Sequence, residues 1–177
     1  MGREYNLIAR KNGLFLGLCL AFCQAVFILK SITDNKLILL TFTVFMSFFA
    51  FISIHQGKRL FQQTRFRDMF SNGFKTQVIA ALILSLAYFV FLNTFGESFF
   101  NTLLDQETAS IHESVKRLGL SEQESQEKIE QGLSSLNEMM TPKFLSIKTG
   151  FLLLLMSAVI SLVISTIHQL ISLKDAK

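Results

Sequence analysis

The chain has 177 residues, half of them apolar, with 17% charged residues, one proline, two cysteines and a formal net charge of +4. Soluble domains carry about 25% charged residues, and here the apolar residues are gathered into runs too long for a water-soluble core. That excludes a disordered chain, a disulfide-stapled secreted scaffold and a soluble enzyme. What remains is an all-α integral membrane protein, a single membrane domain over 1–177 with four transmembrane helices.

A tail carrying Arg3, Arg10 and Lys11 leads into the first predicted span, about 13–32. Its apolar run exceeds a signal-peptide core and lacks an Ala-x-Ala end, so it reads as a retained span. Phe22 stands before Cys23 where a lipoprotein signal needs a small residue, and Asn6 stands where myristoylation needs Ser or Thr. Gly13, Gly17, Ala21 and Ala25 recur at every fourth residue, the spacing that lets two membrane helices approach closely. Cys19 and Cys23 share a helix face and form neither a disulfide framework nor a complete metal site. Gln24 and, in the third span, Asn93 are the deepest strongly polar side chains expected.

The second span covers about 37–54 and ends at His55. The loop beyond it interleaves base and aromatic: Lys58, Arg59, Phe61, Arg65, Phe66, Arg67, Phe70, Phe74 and Lys75. At a membrane surface that composition puts rings among headgroups and cations on anionic lipid phosphates, or on a partner, and nucleic acid is not needed to explain it. A turn at Ser71-Asn72-Gly73 is expected to reverse the chain into the third span, about 77–95.

Between 97 and 143 lie nine acids and four bases. Leu104, Ile111, Val115 and Leu118 recur at helical spacing, and Gly119 is placed to end that helix. Ser121 and Glu124 then form the Ser-x-x-Glu pattern of a capping box, opening a second helix with Ile129, Leu133, Leu136 and Met140 on one face. The third span is thus expected to continue outward, turn at Gly119 and return as an antiparallel arm, with Glu97 level with Lys143. The stripe Leu104, Ile111, Val115, Ile129, Leu133 and Leu136 either closes on itself or serves as a docking surface for another protein. Thr141 and Pro142 are suited to cap and open the fourth span, about 144–171. Ser157, Ser161 and Ser165 make a second small-residue stripe there. His55 and His168 end spans at like depth, the arrangement of axial haem ligands, yet imidazoles are ordinary at helix C-termini. No cofactor is assigned.

Lysine and arginine gather in the N-terminal tail, the loop between spans two and three, and the C-terminal tail, all on one side of a four-span chain. By the positive-inside rule both termini are cytoplasmic and the hairpin lies on the opposite side of the membrane.

Asn12-Gly13-Leu14 with Gly17, the run from Met69 to Thr76, and Asn137-Glu138-Met139-Met140-Thr141-Pro142 resemble the corresponding motifs of a family of bacterial four-span membrane proteins. That family, typical of the Bacteroidota, is described as a domain of unknown function. The resemblance implies the topology, a bacterial inner membrane with the hairpin periplasmic, and no activity. No phosphate-cradling glycine loop, nucleophile elbow, HExxH or CxxC occurs in the sequence. The expectation is a non-enzymatic accessory or scaffold subunit of a larger membrane assembly, partnered by other membrane subunits and by anionic lipid at the cytoplasmic face. The alternatives are the membrane partner of a polyprenyl-phosphate sugar transferase system, and a small oligomeric channel or transporter.

Overall fold

The computed structural model describes residues 2–61 and 65–175. Six helices follow in order: α1 (Gly2–Leu29), α2 (Asn35–Phe61), α3 (Phe66–Phe95), α4 (Glu97–Arg117), α5 (Glu122–Met139) and α6 (Pro142–Asp175). No strand occurs among the described residues. Four segments are long and apolar enough to cross a membrane: Asn6–Leu29, Asn35–Leu60, Phe66–Phe95 and Pro142–Ile171. The side chains of Arg3, Phe61 and Lys174, and Lys177 as a whole, lie outside the described residues.

The spans are longer than the apolar runs that identify them. The thirty residues of α3 extend for about 45 Å, against a hydrocarbon layer of about 30 Å. Its start differs from the expected turn, for Ser71, Asn72 and Gly73 lie inside the helix, with Asn72 fully buried. The reason is tertiary. Asn72 Nδ2 donates to the Ser53 carbonyl at 2.6 Å. The Thr76 hydroxyl donates to the Asn72 carbonyl at 2.9 Å, which leaves the Ser53 hydroxyl to donate to Thr76 at 2.7 Å. Gly73 admits Ile54 of α2 and Ser161 of α6, which a Cβ would meet at 3.0 and 3.3 Å.

α3 is the common partner of α1, α2 and α6. One apolar cluster joins Leu16, Leu20, Met46, Leu84 and Leu153. A second, at the hairpin end, joins Ile28, Tyr88, Leu92, Phe99, Met140 and Leu145. Among the buried polar groups are Asn72, Thr76, Gln77, Ser157, Ser161 and Ser165. Asn93, expected to be deep, is exposed and turns back to the Phe89 carbonyl at 2.7 Å.

The hairpin forms as two packed helices, but its first arm is not a continuation of α3. Gly96 interrupts the helix with φ −87° and ψ 0°, and Phe100 N donates to the Gly96 carbonyl to begin α4. Gly119 takes φ +61°, the left-handed turn that favours glycine. Ser121 and Glu124 complete the capping box. Thr141 Oγ1 accepts from Phe144 N at 3.2 Å, and Pro142 opens α6. Glu97 and Pro142 border one recess, but no ion pair joins Glu97 to Lys143 among the described residues.

The capping box carries a pH dependence. The Ser121 side chain and backbone amide hold the Glu124 carboxyl below its ordinary value. Its contribution to α5 is therefore full above the unfolded carboxylate pKa and is lost as pH falls through the lower folded value. Amide exchange in the first turn of α5 is expected to accelerate about fivefold in Ser121→Ala at neutral pH, the effect of a typical lost N-cap. The gap between variant and parent should narrow in acid, where only the Ser121 Oγ contact to the Glu124 amide remains; a gap that does not change with pH would separate the cap from the carboxylate.

Candidate functional site

At the end of the bundle where α1 begins, α3 starts with Arg65 at its N-cap position, where no side chain caps the helix. Phe66, Phe70 and Phe74 then stack at successive turns, with ring centroids 6.2 and 5.7 Å apart and planes within 17° and 7°. Beside this ladder, Arg67, Ser71 and Lys75 recur at the same spacing and form a second stripe. Across from them stand Asn6, Ala9 and Arg10 of α1, and the two helices enclose a recess of about 760 Å³ whose apolar end is Val78 and Ile79. Lys75 Nζ donates to Asn6 Oδ1 at 3.2 Å, tying the walls together. Three cations and an aromatic ladder thus meet where the apolar part of α3 starts. Two guanidinium forks and an ammonium suit the oxygens of a phosphate, and the rings suit the glycerol and upper-chain region of a lipid.

The recess gathers only some of the residues expected for lipid or partner contact. Arg67, Phe70, Phe74 and Lys75 line it, whereas Lys58, Arg59 and Arg65 do not. Lys58 and Arg59 lie in the last turn of α2. Arg10, which the sequence offered only as a topology signal, is the residue missed. The four-residue spacing of Arg67, Ser71 and Lys75 was the signal that this segment is helix and not loop.

The small-residue stripes both pack within the bundle along α3. A Cβ at Gly13 would stand 2.7 Å from the Thr76 carbonyl oxygen, and one at Gly17 would stand 2.9 Å from Ile83. Ala21 is buried and Ala25 half-buried. On α6, Ser157, Ser161 and Ser165 are fully buried; Ser157 donates to the Leu153 carbonyl at 2.6 Å, and Ser161 faces Gly73. The stripes therefore meet α3 and not each other. Close backbone approach and hydrogen bonding hold such helices together where lipid removes the hydrophobic drive.

The hairpin seam is filled from within. Gly132 of α5 receives Ile111 of α4, which a Cβ would meet at 3.0 Å, and Val115 is buried. Leu104 and Leu136 pack on the cluster around Phe99 and Met140, while Ile129 and Leu133 are half-buried. The exposed faces carry the acids, among them Glu113, Glu127, Glu130 and Glu138. The stripe expected to offer a docking surface is thus largely occupied by the opposite arm and the bundle.

His55 and His168 do come together, with ring centroids 6.2 Å apart and planes tilted by 42°. Phe51 packs against both, at 6.0 Å from His55 and 4.9 Å from His168, so the pair belongs to an aromatic cluster. Cys19 and Cys23 are free and half-buried. Among the described residues, no three His, Cys, Asp or Glu side chains gather as a metal site would require.

No curated protein and no solved structure matches the chain. One family model does, described as "Protein of unknown function (DUF4199)", and it spans residues 11–169, from the last basic residue of the N-terminal tail to one residue past His168. With nearly its whole length matched, four spans and hairpin included, the chain belongs to that family.

Proposed function

We propose that this protein is a non-enzymatic accessory subunit of a larger membrane assembly, inserted in a bacterial inner membrane with both termini cytoplasmic and the hairpin outside. The observation that carries the reading is the hairpin itself. Its apolar seam is closed, and it is clamped to the bundle through Phe99, Met140 and Leu145. What it presents is a rigid surface rich in carboxylates, held at a fixed place above the spans. A surface of that kind suits a partner with a basic face, since charge complementarity directs encounter and register more than it adds affinity. The orientation rests on the lysine and arginine asymmetry of the sequence. The test is a tagged purification in mild detergent with quantitative mass spectrometry. A partner at stoichiometric level is expected with the parent chain and is expected to be lost with Glu130→Lys and Glu138→Lys together, both exposed positions. Recovery of the chain alone, or only with copies of itself, defeats the subunit reading.

The recess of Arg10, Arg67 and Lys75 favours a second reading, in which the chain is the membrane partner of a polyprenyl-phosphate sugar transferase system and the recess holds the lipid phosphate. Arg67→Glu with Lys75→Glu is expected to reduce co-purifying phosphate-bearing lipid by roughly tenfold or more, since each lost charge-assisted contact is worth about 1.5–3 kcal/mol. Arg59→Glu, outside the recess, serves as the control. Equal lipid content in the two variants removes this reading and leaves the first intact.

A further inference from the structure

A second cavity lies at the opposite end of the bundle, and neither reading above uses it. It measures about 490 Å³, within the usual span of about 300–1,000 Å³ for small-ligand pockets. Leu103 and Met139 of the hairpin border it on the outer side, Phe42 and Leu153 on the inner side, and Gln24 and Tyr88 at the back. Its mouth opens between α2 and α6. Leu39, Phe144 and Leu152 all line it and are also 47%, 41% and 49% exposed, on faces that meet the hydrocarbon of a bilayer. The mouth thus faces the bilayer along α2 and α6 and reaches the outer surface at Asn35, Glu107 and Met139, all exposed.

Of the polar groups that border the cavity, Gln24, Lys148 and Glu107 bear most directly on what could occupy it. The Gln24 side chain is only 3% exposed, and its amide oxygen has no hydrogen-bond partner among the described residues. Lys148 is exposed and lies about 9 Å along α6 from its start at Pro142. The Ser85 hydroxyl donates to the Ser146 carbonyl at 2.8 Å, and a Cβ at Gly150 would stand 2.9 Å from Ser85 Oγ, so Lys148 is level with Ser85. That level is about 15 Å along α3 from its end at Phe95. Lys148 has no ion pair or hydrogen bond among the described residues. Its side chain is exposed at the cavity and leans toward the N-terminal, outer end of α6, so its ammonium is carried toward the headgroups, where an anionic partner is available. Glu107, on α4 and therefore outside the spans, borders the same cavity.

We infer that this cavity is a binding site for a phospholipid whose head carries a phosphate followed by an ammonium, a phosphoethanolamine lipid. One acyl chain lies along Phe42, Leu153 and Met156, and the second remains in the mouth. The Gln24 amide meets the polar junction between tail and head, Lys148 meets the phosphate and Glu107 meets the terminal ammonium. Cation inside and carboxylate outside repeat the order of charges in that head. A head with phosphate alone leaves Glu107 unmatched. The lining methionines, Met139, Met140 and Met156, are flexible side chains that adapt to a chain of irregular shape. This inference is independent of the subunit reading.

The test is native mass spectrometry of the full chain, delipidated in detergent and titrated with phosphatidylethanolamine or phosphatidylglycerol of matched acyl chains. One phosphatidylethanolamine per chain is expected to be retained, with phosphatidylglycerol bound more weakly. Lys148→Gln is expected to weaken both lipids roughly tenfold, as for a lost hydrogen bond to a charged group. Glu107→Gln is expected to weaken only phosphatidylethanolamine. Leu152→Trp, which fills the mouth, should abolish retention, while Leu155→Trp, exposed but outside the cavity, should preserve it and guards against a general effect on folding. Equal loss in the two tryptophan variants would mean annular lipid only. Equal binding of both lipids, unchanged by Glu107→Gln, would overturn the assignment of the headgroup.

Discussion

Phe99→Ala is expected to release the hairpin from the bundle while the four long helices stay assembled. Phe99 is 2% exposed and sits where α1, α3 and α6 meet both arms, against Ile28, Tyr88, Leu92, Met140 and Leu145. Removing a buried phenyl ring costs about 3–5 kcal/mol in lost transfer and cavity terms. Gly96, which already interrupts the helix between α3 and α4, provides the pivot. The readout is amide exchange in α4 and α5, which should rise by roughly a hundredfold or more on that free-energy scale. Exchange in α3 should change little. Unaltered protection in both arms would mean that the seam of Ile111, Val115 and Gly132 holds the hairpin without the clamp. The subunit reading sharpens the consequence: a partner that needs a rigidly placed acidic surface should dissociate from Phe99→Ala although no carboxylate has been altered.

The second large effect is expected at the α1–α3 contact. In Gly13→Ala the new methyl would stand 2.7 Å from the Thr76 carbonyl oxygen and 2.9 Å from Ile79 Cβ. Backbone cannot rotate aside as a side chain can, so α1 must move as a unit. Overpacking of this kind costs about 1–3 kcal/mol. It also strains the Asn12–Gln56 hydrogen bond, 3.0 Å long, one residue away. Gly17→Ala meets only the side chain of Ile83 and should cost less. Gly119→Ala meets nothing within 4 Å, but its φ of +61° makes it costly by roughly 1 kcal/mol, confined to the hairpin tip. Thermal unfolding of the three variants in one detergent should rank Gly13 first and leave the global transition of Gly119→Ala almost unmoved. Equal shifts at Gly13 and Gly119 would contradict the contact geometry.

The features legible in the sequence are those whose cause is local. Run length and the lack of charge gave the four spans, because a helix in lipid must satisfy its own backbone. Ser121, Glu124, Gly119 and Thr141 marked helix ends, because capping and left-handed turns depend on a few neighbouring residues. Ser71-Asn72-Gly73 misled for the same reason. Asn and Gly are turn residues by local preference, and only a partner on α2, the Ser53 carbonyl, makes them helix interior. The spacing of Phe66, Phe70 and Phe74 favours the helix, but the basic composition around them suggests a loop. The recess could not be read from one segment, since Asn6 and Arg10 lie some sixty residues from Arg67 and Lys75 in sequence. That Gln24, Glu107 and Lys148 border one cavity was hidden likewise, because the three lie on different helices.

The polar first half of α3 bears on how the chain enters the bilayer. Asn72, Thr76 and Gln77 are fully buried in the finished bundle, and Lys75 lies among them in sequence. Presented alone to hydrocarbon, each would be opposed by its lost hydration. By the time α3 emerges during synthesis, α1 and α2 have already been made, and Ser53 of α2, the partner of Asn72 and Thr76, is in place. The stretch from Val78 to Phe95 is apolar enough to lead, and Asn72 and Thr76 can follow against the waiting Ser53. Insertion of the third span thereby becomes a step that reads whether the first two have docked correctly. A lesion at Ser53 or Asn12, both buried, would then register as a failure of topology before it registered as a loss of stability.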